Sequence, residues 1–538
     1  MQNACAILRQ LLVALSIVGC SIGPACAAEV DSAKSHANAT DETPKIFDIV
    51  EYVVDGNAVL SVDDIEEAVY PFLGESRTPS DVDKARDALE KVYRERGYQT
   101  VQVTIPKQGV GTGIIHLQVV QNPIGRLRVV DSRYHTLTEI KQSAPSLAEG
   151  TVPNLNEVQK DIVALNQQPD MKVTPRLKAG LEPGTVDVDL QVEDRLPLHA
   201  SAELNNQYNQ QTTPLRVEGN VSYDNLWQLG HSISFSYQVA PEKRTDAEVY
   251  SSTYLFRVPE TPLSILLYGV KSNSEVAALA SVDVIGKGGI VGFRGILSLP
   301  STDTFYQSIT IGLDRKNLTQ NVITNGQPLE APVLYYPVSL TYAPTWHHGN
   351  ELTQASASLN FAVPGLGDDS TAFDAQRFDA LRQYFFAKAE LNQTQPLPWG
   401  AVFYGKIVGQ IASGPLLSSE QMSAGGVNNV RGYFEAERLG DSGLQATLEL
   451  RSPSFGPQIA PAINDWRVLA FVDAAALWLR QPLPDETASY ALASAGVGTR
   501  FSLFDTINGS VDVAVPFVSG SATKVGEPRF HFRFWAGL

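Results

Sequence analysis

Over most of its length the chain alternates apolar and polar residues with a period of two, and this alternation limits the possible folds more than any other feature. Residues 232–239, 444–451 and 510–517 carry apolar side chains at every second position, with polar or small ones between them. Because successive side chains of a β-strand point to opposite faces, each segment predicts a strand with one apolar and one polar face. Such strands build either a membrane barrel, with lipid outside and water inside, or a soluble antiparallel sandwich.

The last strand favours the barrel over the sandwich. One face of it is apolar and mostly aromatic, made by Phe530, Phe532, Phe534 and Leu538. A soluble sandwich has little reason to end on an aromatic strand, whereas membrane barrels place aromatic residues at both membrane surfaces. We therefore predict a mostly β protein in which residues 196–538 form a transmembrane antiparallel β-barrel.

The first 28 residues have the composition of an export signal. Arg9 precedes an apolar stretch at 11–19, and Ala25-Cys26-Ala27 offers a small-residue cleavage site. A lipoprotein signal is an alternative, because residues 17–20 loosely resemble a lipobox. All three cysteines of the sequence fall in this segment, so we expect a mature chain without disulfides.

Composition narrows the class further. After the export signal no run of 18 or more apolar residues follows, so the sequence offers no transmembrane helix. If the mature chain is in a membrane, it must therefore be a closed barrel, since lipid cannot satisfy an open sheet edge. The formal net charge of −17 argues against a nucleic-acid partner, because such proteins usually present a basic face.

Two segments ahead of the β domain contain helical as well as strand patterns. Residues 45–121 combine strands with two helical patterns, the second spanning Ser80–Arg96 with Ser80 as its N-cap. Residues 122–195 repeat the order, with a second helix at Leu155–Leu165. The shared β-α-α-β-β order predicts two copies of one small α+β domain.

A glycine-rich segment within the β domain carries the most specific motif. It starts at Gly425 and ends in the four residues Val430, Arg431, Gly432 and Tyr433, and a Gly-Asp-Ser-Gly turn follows at 440–443. It resembles the VRGY motif of the transporters of two-partner secretion, the haemolysin secretion/activation protein family. This resemblance covers nearly all of the chain after the export signal. It implies a barrel of 16 strands in which residues 421–443 form a loop folded back into the lumen.

The resemblance also implies a partner for Arg431. A guanidinium in a confined lumen is costly unless a counter-charge and hydrogen bonds compensate it. Asp473 stands out in the otherwise apolar strand 466–478, with Phe471 on the same face. The family pairs its loop arginine with the aspartate of a matching F-x-D motif, which here implies Arg431 with Asp473. The alternative is that the two residues have separate partners.

The two front segments are similar to the POTRA domains of this family. The similarity rests on Tyr52–Asn57, on Arg94–Tyr98 and on Leu-Asn pairs at 155–156 and 165–166. It implies two periplasmic POTRA domains. A small α+β domain with an open sheet edge can bind an extended chain by strand addition, so we expect these domains to receive a secreted client.

Two features depart from the family pattern. Many members have a plug helix and a linker ahead of the first POTRA domain, whereas here residues 29–44, a flexible lead-in, are too few for both. Closure would then rest on the inward loop. Family barrels usually end in Phe, which the assembly machinery reads, and this chain ends in Leu538. Because Leu538 lies on the lipid face, we expect this change to be mild.

The sequence carries no recognisable catalytic or cofactor motif. Neither a convincing metal-ligand spacing nor a phosphate-binding loop nor a nucleophile elbow occurs, and His347 and His348 lie beside a predicted turn. We therefore predict no enzyme activity and no cofactor.

The expected function is that of an outer-membrane translocase, which recognises a partner exoprotein in the periplasm and secretes it. One alternative is a factor that assembles or inserts other barrels, although its closest members usually carry three or more POTRA domains. Another is a passive porin, which would need neither POTRA domains nor an inward loop. The expected partners are the exoprotein, outer-membrane lipid and, during biogenesis, the barrel assembly machinery.

Overall fold

The computed structural model describes residues 46–538 except 167, 169, 260, 275, 280–281, 325–326, 364 and 485. The chain divides into a front unit that ends at Pro197 and a barrel unit that spans Leu198–Leu538. The predicted export signal, the predicted lead-in and the question of a plug helix lie outside the described residues.

The front unit consists of two α+β modules. Its strands are β1 (Phe47–Ile49), β2 (Glu51–Asp55), β3 (Gly74–Arg77), β4 (Gln102–Thr104), β5 (Ile114–Val120), β6 (Ile124–Val130), β7 (Met171–Ala179) and β8 (Val186–Asp194). Its helices are α1 (Val62–Val69), α2 (Pro79–Glu95), α3 (Leu137–Gln142) and α4 (Leu155–Leu165).

The two modules share one sheet topology. The strand orders are β2-β5-β4 and β6-β8-β7. In each sheet the strand that comes first in the chain, β2 or β6, runs parallel to the central strand, β5 or β8, which comes last in the chain. The middle position of the last strand explains its sequence, because a strand with neighbours on both sides places its apolar face at the centre of the core. The first module adds a short pair, β1 with β3, which the sequence did not indicate.

The long helix of the first module begins differently from the sequence prediction. Its N-cap is Thr78 and not Ser80, so that prediction was wrong. Thr78 and Asp81 form a capping box in which the Asp81 carboxylate accepts the N–H of Thr78 at 3.0 Å. Pro79 suits the first helical position, where no N–H is needed, and this fixes the start of the helix.

The barrel unit begins with β9 and returns to it. Its strands are β9 (Leu198–Asn205), β10 (Arg216–Leu226), β11 (His231–Val239), β12 (Glu248–Arg257), β13 (Leu263–Ser272), β14 (Val276–Leu279), β15 (Val282–Ile285), β16 (Lys287–Ser298), β17 (Phe305–Thr324), β18 (Gln327–Tyr335), β19 (Pro337–His348), β20 (Glu351–Ala362), β21 (Phe385–Pro396), β22 (Val402–Ala412), β23 (Met422–Ala424), β24 (Arg438–Gly440), β25 (Ser442–Arg451), β26 (Ile463–Trp478), β27 (Ser489–Leu503), β28 (Ile507–Pro516) and β29 (Arg529–Gly537). It also contains the short helices α5 (Ser370–Gln376) and α6 (Gly456–Ile459). No helix in the described part of the chain is long and apolar enough to cross a membrane.

These strands form a closed antiparallel barrel of 16 strands, as predicted. Only Tyr336 separates β18 from β19, and the two pair with opposite halves of the 20-residue β17, so together they act as one strand of the wall. The pairs β14–β15 and β23–β24 are separate hairpins. β29 pairs with β9 and closes the ring.

The wall follows the alternation seen in the sequence. In β26, Val468 and Val472 are exposed on the outer face, whereas Phe471 and Asp473 are buried on the inner face. An apolar outer face suits contact with lipid, and polar inner residues need partners within the lumen. These partners come in large part from the segment between β22 and β25.

Candidate functional site

The segment between β22 and β25 folds into the barrel as a loop with a short stem. The stem is the hairpin β23–β24, with Ser423 opposite Leu439. Within residues 421–443, all of which the structure describes, Asn428 alone is exposed. The tip turns sharply at Gly426 and Gly432, whose φ values of +115° and +92° favour glycine. A Cβ on Gly426 would also lie 2.1 Å from the Glu435 carboxylate.

Arg431 at the tip of this loop is bound by Asp473 of β26. Its Nε donates to Asp473 Oδ2 at 2.7 Å and its Nη2 to Asp473 Oδ1 at 2.9 Å, a bidentate pair. Its backbone N–H donates to the same carboxylate at 3.1 Å. The guanidinium also lies 3.4 Å from the ring centre of Phe471, within the range of a cation–π contact. Arg431 is 3% exposed and Asp473 is 0% exposed, so the pair is shielded from water.

Two further carboxylates extend this pair into a network. Arg431 Nη1 donates to Glu449 of β25 at 2.7 Å and lies 3.9 Å from Asp512 of β28. Arg451 binds the other oxygen of Glu449, and Arg500 binds Asp512 in a bidentate pair at 2.8 Å. Three arginines thus face three carboxylates. This balance matters because an uncompensated buried charge costs several kcal/mol.

The residues after Arg431 attach to the next strands of the wall. The N–H of Gly432 donates to Nε2 of His531 on β29 at 2.9 Å, which requires a neutral imidazole. The hydroxyl of Tyr433 lies 2.9 Å from the Ala493 carbonyl oxygen and 2.7 Å from that of Val518. From Glu449 to His531, the tip therefore contacts every strand from β25 to β29.

The base of the loop has its own buried anchor at Asp441. This carboxylate is 0% exposed and pairs in bidentate fashion with Arg377, which follows α5 in the segment between β20 and β21. It also accepts the N–H groups of Leu416 at 2.8 Å and Arg480 at 2.7 Å. Nearby, Lys316 of β17 pairs with Glu420 at 2.6 Å. The base is thus tied to other loops as firmly as the tip is tied to the wall.

The predicted site residues fall into two groups in the structure. Five of them meet at the loop tip: Val430, Arg431, Gly432 and Tyr433 on the loop, and Asp473 on the wall, with Phe471 beside them. Phe530, Phe532 and Phe534 lie apart, on the outer face of β29, where neighbouring rings are 5.8 and 5.5 Å apart. Leu538 follows the end of that strand and is 88% exposed.

Sequence reasoning missed several residues of this network. Glu449, Asp512 and His531 were visible only as polar members of alternating strands, and nothing in the sequence told them from other lumen-facing residues. Asp441 lay inside the recognised Gly-Asp-Ser-Gly turn, but its charge partner was not predicted. Arg377 had no motif at all, because its position depends on how the segment around α5 folds.

Comparison with known proteins agrees with this architecture. Residues 184–501 match the haemolysin secretion/activation protein family (ShlB/FhaC/HecB), and residues 47–122 match the ShlB-type POTRA domain. The chain belongs to the haemolysin secretion/activation protein family. It is therefore an outer-membrane transporter of two-partner secretion, with its POTRA region in the periplasm.

Individual relatives of this chain are distant in sequence. The outer membrane transporter CdiB of Dickeya dadantii (strain 3937) is 21% identical over 445 residues, which is 76% of this chain and 71% of that protein. The heme/hemopexin transporter protein HuxB of Haemophilus influenzae is 20% identical over 434 residues, 75% of this chain and 72% of that protein. The structure of CdiB from Escherichia coli shares the fold, with a TM-score of 0.68, 17% identity and coverage of 100% of this chain and 97% of that one.

Proposed function

We propose that this transporter secretes one large partner exoprotein through its barrel, and that Arg431 holds the inward loop in the position that governs passage. The observation that carries this proposal is the burial of Arg431 among Asp473, Glu449 and Asp512. A loop held by charge in a polar lumen can be released when water or a client replaces its partners, which a loop held by an apolar core cannot do at similar cost. The proposed role is transport without a catalytic step or a cofactor.

We propose residues 45–121 and 122–195 as two POTRA domains that receive the client in the periplasm. The sheet edges of the second module are partly covered. Val173 of β7 exchanges hydrogen bonds with the Asn166 side chain at 2.6 and 3.2 Å, and Pro175 offers no N–H. The N–H of Leu127 on β6 donates to Glu149 at 3.0 Å. These contacts support the first module as the main place for strand addition.

Outer-membrane lipid and the barrel assembly machinery are the remaining proposed partners. The apolar outer wall supports contact with lipid. The aromatic face of β29, with Phe530, Phe532 and Phe534, supports a C-terminal assembly signal that continues to Leu538. Leu538 is held in strand-like register, because its N–H donates to the Ala200 carbonyl at 2.9 Å.

The proposal is tested by replacing Arg431 with alanine. The test first asks whether a gene beside that of this chain encodes a large exoprotein with an N-terminal secretion domain. That exoprotein then serves as the client and is measured in the medium by immunoblot. We expect Arg431→Ala to reduce secretion at least about tenfold. Removal of one partner of a buried ion pair should destabilise the docked position of the loop by roughly 3–5 kcal/mol. The barrel should still assemble, since the wall keeps its own ladders.

Arg294→Ala is the matched control. Arg294 forms a comparable pair with Asp314 of β17, with the Tyr268 hydroxyl at 2.9 Å, but these residues belong to the wall and not to the loop. It should change secretion little. Full secretion by the Arg431 variant would remove the proposed role of the loop. If the chain has no exoprotein neighbour and its deletion depletes other barrel proteins, the assembly factor becomes the better assignment.

A further inference from the structure

The barrel closes on a weak seam. β29 pairs with β9 over five residue pairs only, from Arg533 opposite Asn205 to Gly537 opposite Ser201. The ladders on either side of the seam, β28–β29 and β9–β10, each contain eight pairs. Among the ladders of the barrel wall that the structure describes, this one is the shortest. Two backbone hydrogen bonds extend it, from Leu538 to Ala200 at 2.9 Å and from Asn206 to Phe532 at 3.3 Å.

Next to these five pairs the side chain of Asn206 adds two hydrogen bonds to that of its backbone. Asn206 Oδ1 accepts the N–H of Phe532 and its Nδ2 donates to the carbonyl of Phe530, both at 2.8 Å. A primary amide can serve both groups because it carries the same donor and acceptor as a peptide. The chain then leaves the wall, and no further seam pairing follows among the described residues.

At this point the tip of the inward loop touches both sides of the seam. On the β29 side, Gly432 donates to His531, and the Arg529 guanidinium lies 3.4 Å from the ring centre of Phe434. On the β9 side, the N–H of Glu435 donates to the Tyr208 carbonyl at 3.1 Å.

The two sides meet in a cluster of three side chains, Phe434, Tyr208 and Arg529. The rings of Phe434 and Tyr208 pack edge to face with centres 5.4 Å apart, and the Tyr208 hydroxyl lies 3.0 Å from Arg529 Nη1. Such aromatic and cation–π contacts gain most where water is excluded. Phe434 belongs to the loop, Tyr208 follows β9 and Arg529 begins β29. The cluster therefore joins the loop to both strands of the seam.

We propose that Phe434, Tyr208 and Arg529 form a clasp that keeps the β9–β29 seam closed while the loop lies in the lumen. The clasp exists only with the loop in place, because Phe434 leaves with it. Movement of the loop therefore also loosens the seam next to the β9–β10 loop. The inference rests on the proposed function in one respect, that the loop moves during transport.

The test is hydrogen–deuterium exchange of the purified full chain in detergent, without client. In Phe434→Ala, the amides of residues 201–205 and 533–537 should exchange about two- to fivefold faster than in the parent, in keeping with loss of a partly exposed cation–π contact. Exchange in β20 and β21 should stay unchanged. Tyr490→Ala is the matched control. The Tyr490 ring lies on β27, away from the seam, and its centre is 4.4 Å from the guanidinium of Arg438 on the same loop as Phe434.

A double variant separates the clasp from a general loss of packing. Arg431→Ala should raise seam exchange to a similar level by releasing the loop, and adding Phe434→Ala should then have no further effect. Additive effects, or an unchanged seam in Phe434→Ala, would overturn the proposal. If Phe434→Ala does not assemble, Arg529→Gln replaces it, since glutamine removes the charge above Phe434. Because no client is present, the result does not depend on the secretion assay.

Discussion

The inward loop packs against the barrel wall and the helices of each front module pack against the sheet of that module, but the loop depends more on buried charge than the modules do. Each module has a core of twelve buried apolar residues, beside which the second module buries the side chains of His135 and Asp194. The loop also buries apolar residues such as Val430 and Tyr433, but Arg431 at its tip and Asp441 at its base each lie within a group of paired charges. Apolar cores give a module one stable packing, whereas paired charges can exchange partners.

This difference agrees with the roles proposed for the two parts, client reception by the modules and control of passage by the loop. A domain that receives clients must keep its shape through many encounters, and burial of apolar area is non-directional and difficult to reverse locally. A loop that governs a passage must leave its place without unfolding the wall around it. Paired charges permit this movement, because water and new partners can compensate the same groups once they separate.

The largest effect should come from a cavity in a module core. Leu89 of α2 is fully buried, so Leu89→Ala should lower the free energy of unfolding of the first module by roughly 2–5 kcal/mol. Calorimetry of the full chain would measure this, with the exposed Leu181→Ala as control. Hydrogen exchange of the loop residues 421–443 should not change. Faster loop exchange in the Leu89 variant would break the comparison.

A somewhat smaller effect should follow loss of the arginine at the loop base. Arg377→Ala leaves Asp441 with neutral donors only, and should weaken the attachment of the base by roughly 2 kcal/mol. We expect faster exchange at residues 413–424 and a larger conductance in planar bilayers, with module stability unaltered. Arg480→Ala is the control, because it removes an exposed arginine side chain but keeps the N–H that Asp441 accepts. Equal conductance in the two variants would contradict a role for the base.

The smallest effect should come from the partly buried carboxyl group of Glu139 in the second module. Burial raises the pKa of Glu139 on α3 from 4.5 to about 7, against an opposing hydrogen bond from Gln168. Since the folded pKa lies above the ordinary value, the protonated form favours folding. Its contribution is complete below pH 4.5 and is lost as the pH rises through 7.

The second module should therefore unfold at a higher temperature at pH 5 than at pH 8. Because water still reaches the half-buried Glu139, we expect roughly 1 kcal/mol or less. Glu139→Gln should remove this part of the pH dependence, whereas Glu157→Gln, on the exposed side of α4, should not. The same pH dependence in both variants would show that Glu139 is not responsible.

Sequence patterns predicted the fold better than they predicted the contacts inside it. The period of two indicated the barrel, because alternation is a local property of each strand. Helix ends were less certain: Ser80 and Thr78 are both good caps, and only the preference of Pro79 for the first helical position separates them. The pair β1–β3 was missed, because the four residues of β3 carry no alternation long enough to detect.

Site residues were predictable only where a motif named them. Arg431 and Asp473 stood in recognisable motifs, and the structure places them in contact. Their functional role stays a prediction until secretion is measured. Glu449, Asp512 and His531 depend on strand register, which relates residues up to 99 positions apart, and one sequence does not fix it. The position of Arg377 depends on how the segment around α5 folds, and that segment shows no periodic pattern from which its fold could be predicted.

The anchor at Asp441 has a consequence for the permeability of the membrane. A pore wide enough for a polypeptide would also let small solutes leak whenever it opened by chance. With one anchor worth roughly 2 kcal/mol, the open state would be populated roughly one thirtieth as often as the closed state, since each 1.4 kcal/mol is a factor of ten. Arg431 at the loop tip is a second anchor. If the two anchors open independently, the probability that both are open is the product of the two separate probabilities. A client that releases both anchors in turn would then pass, while solutes that touch neither would stay on their own side.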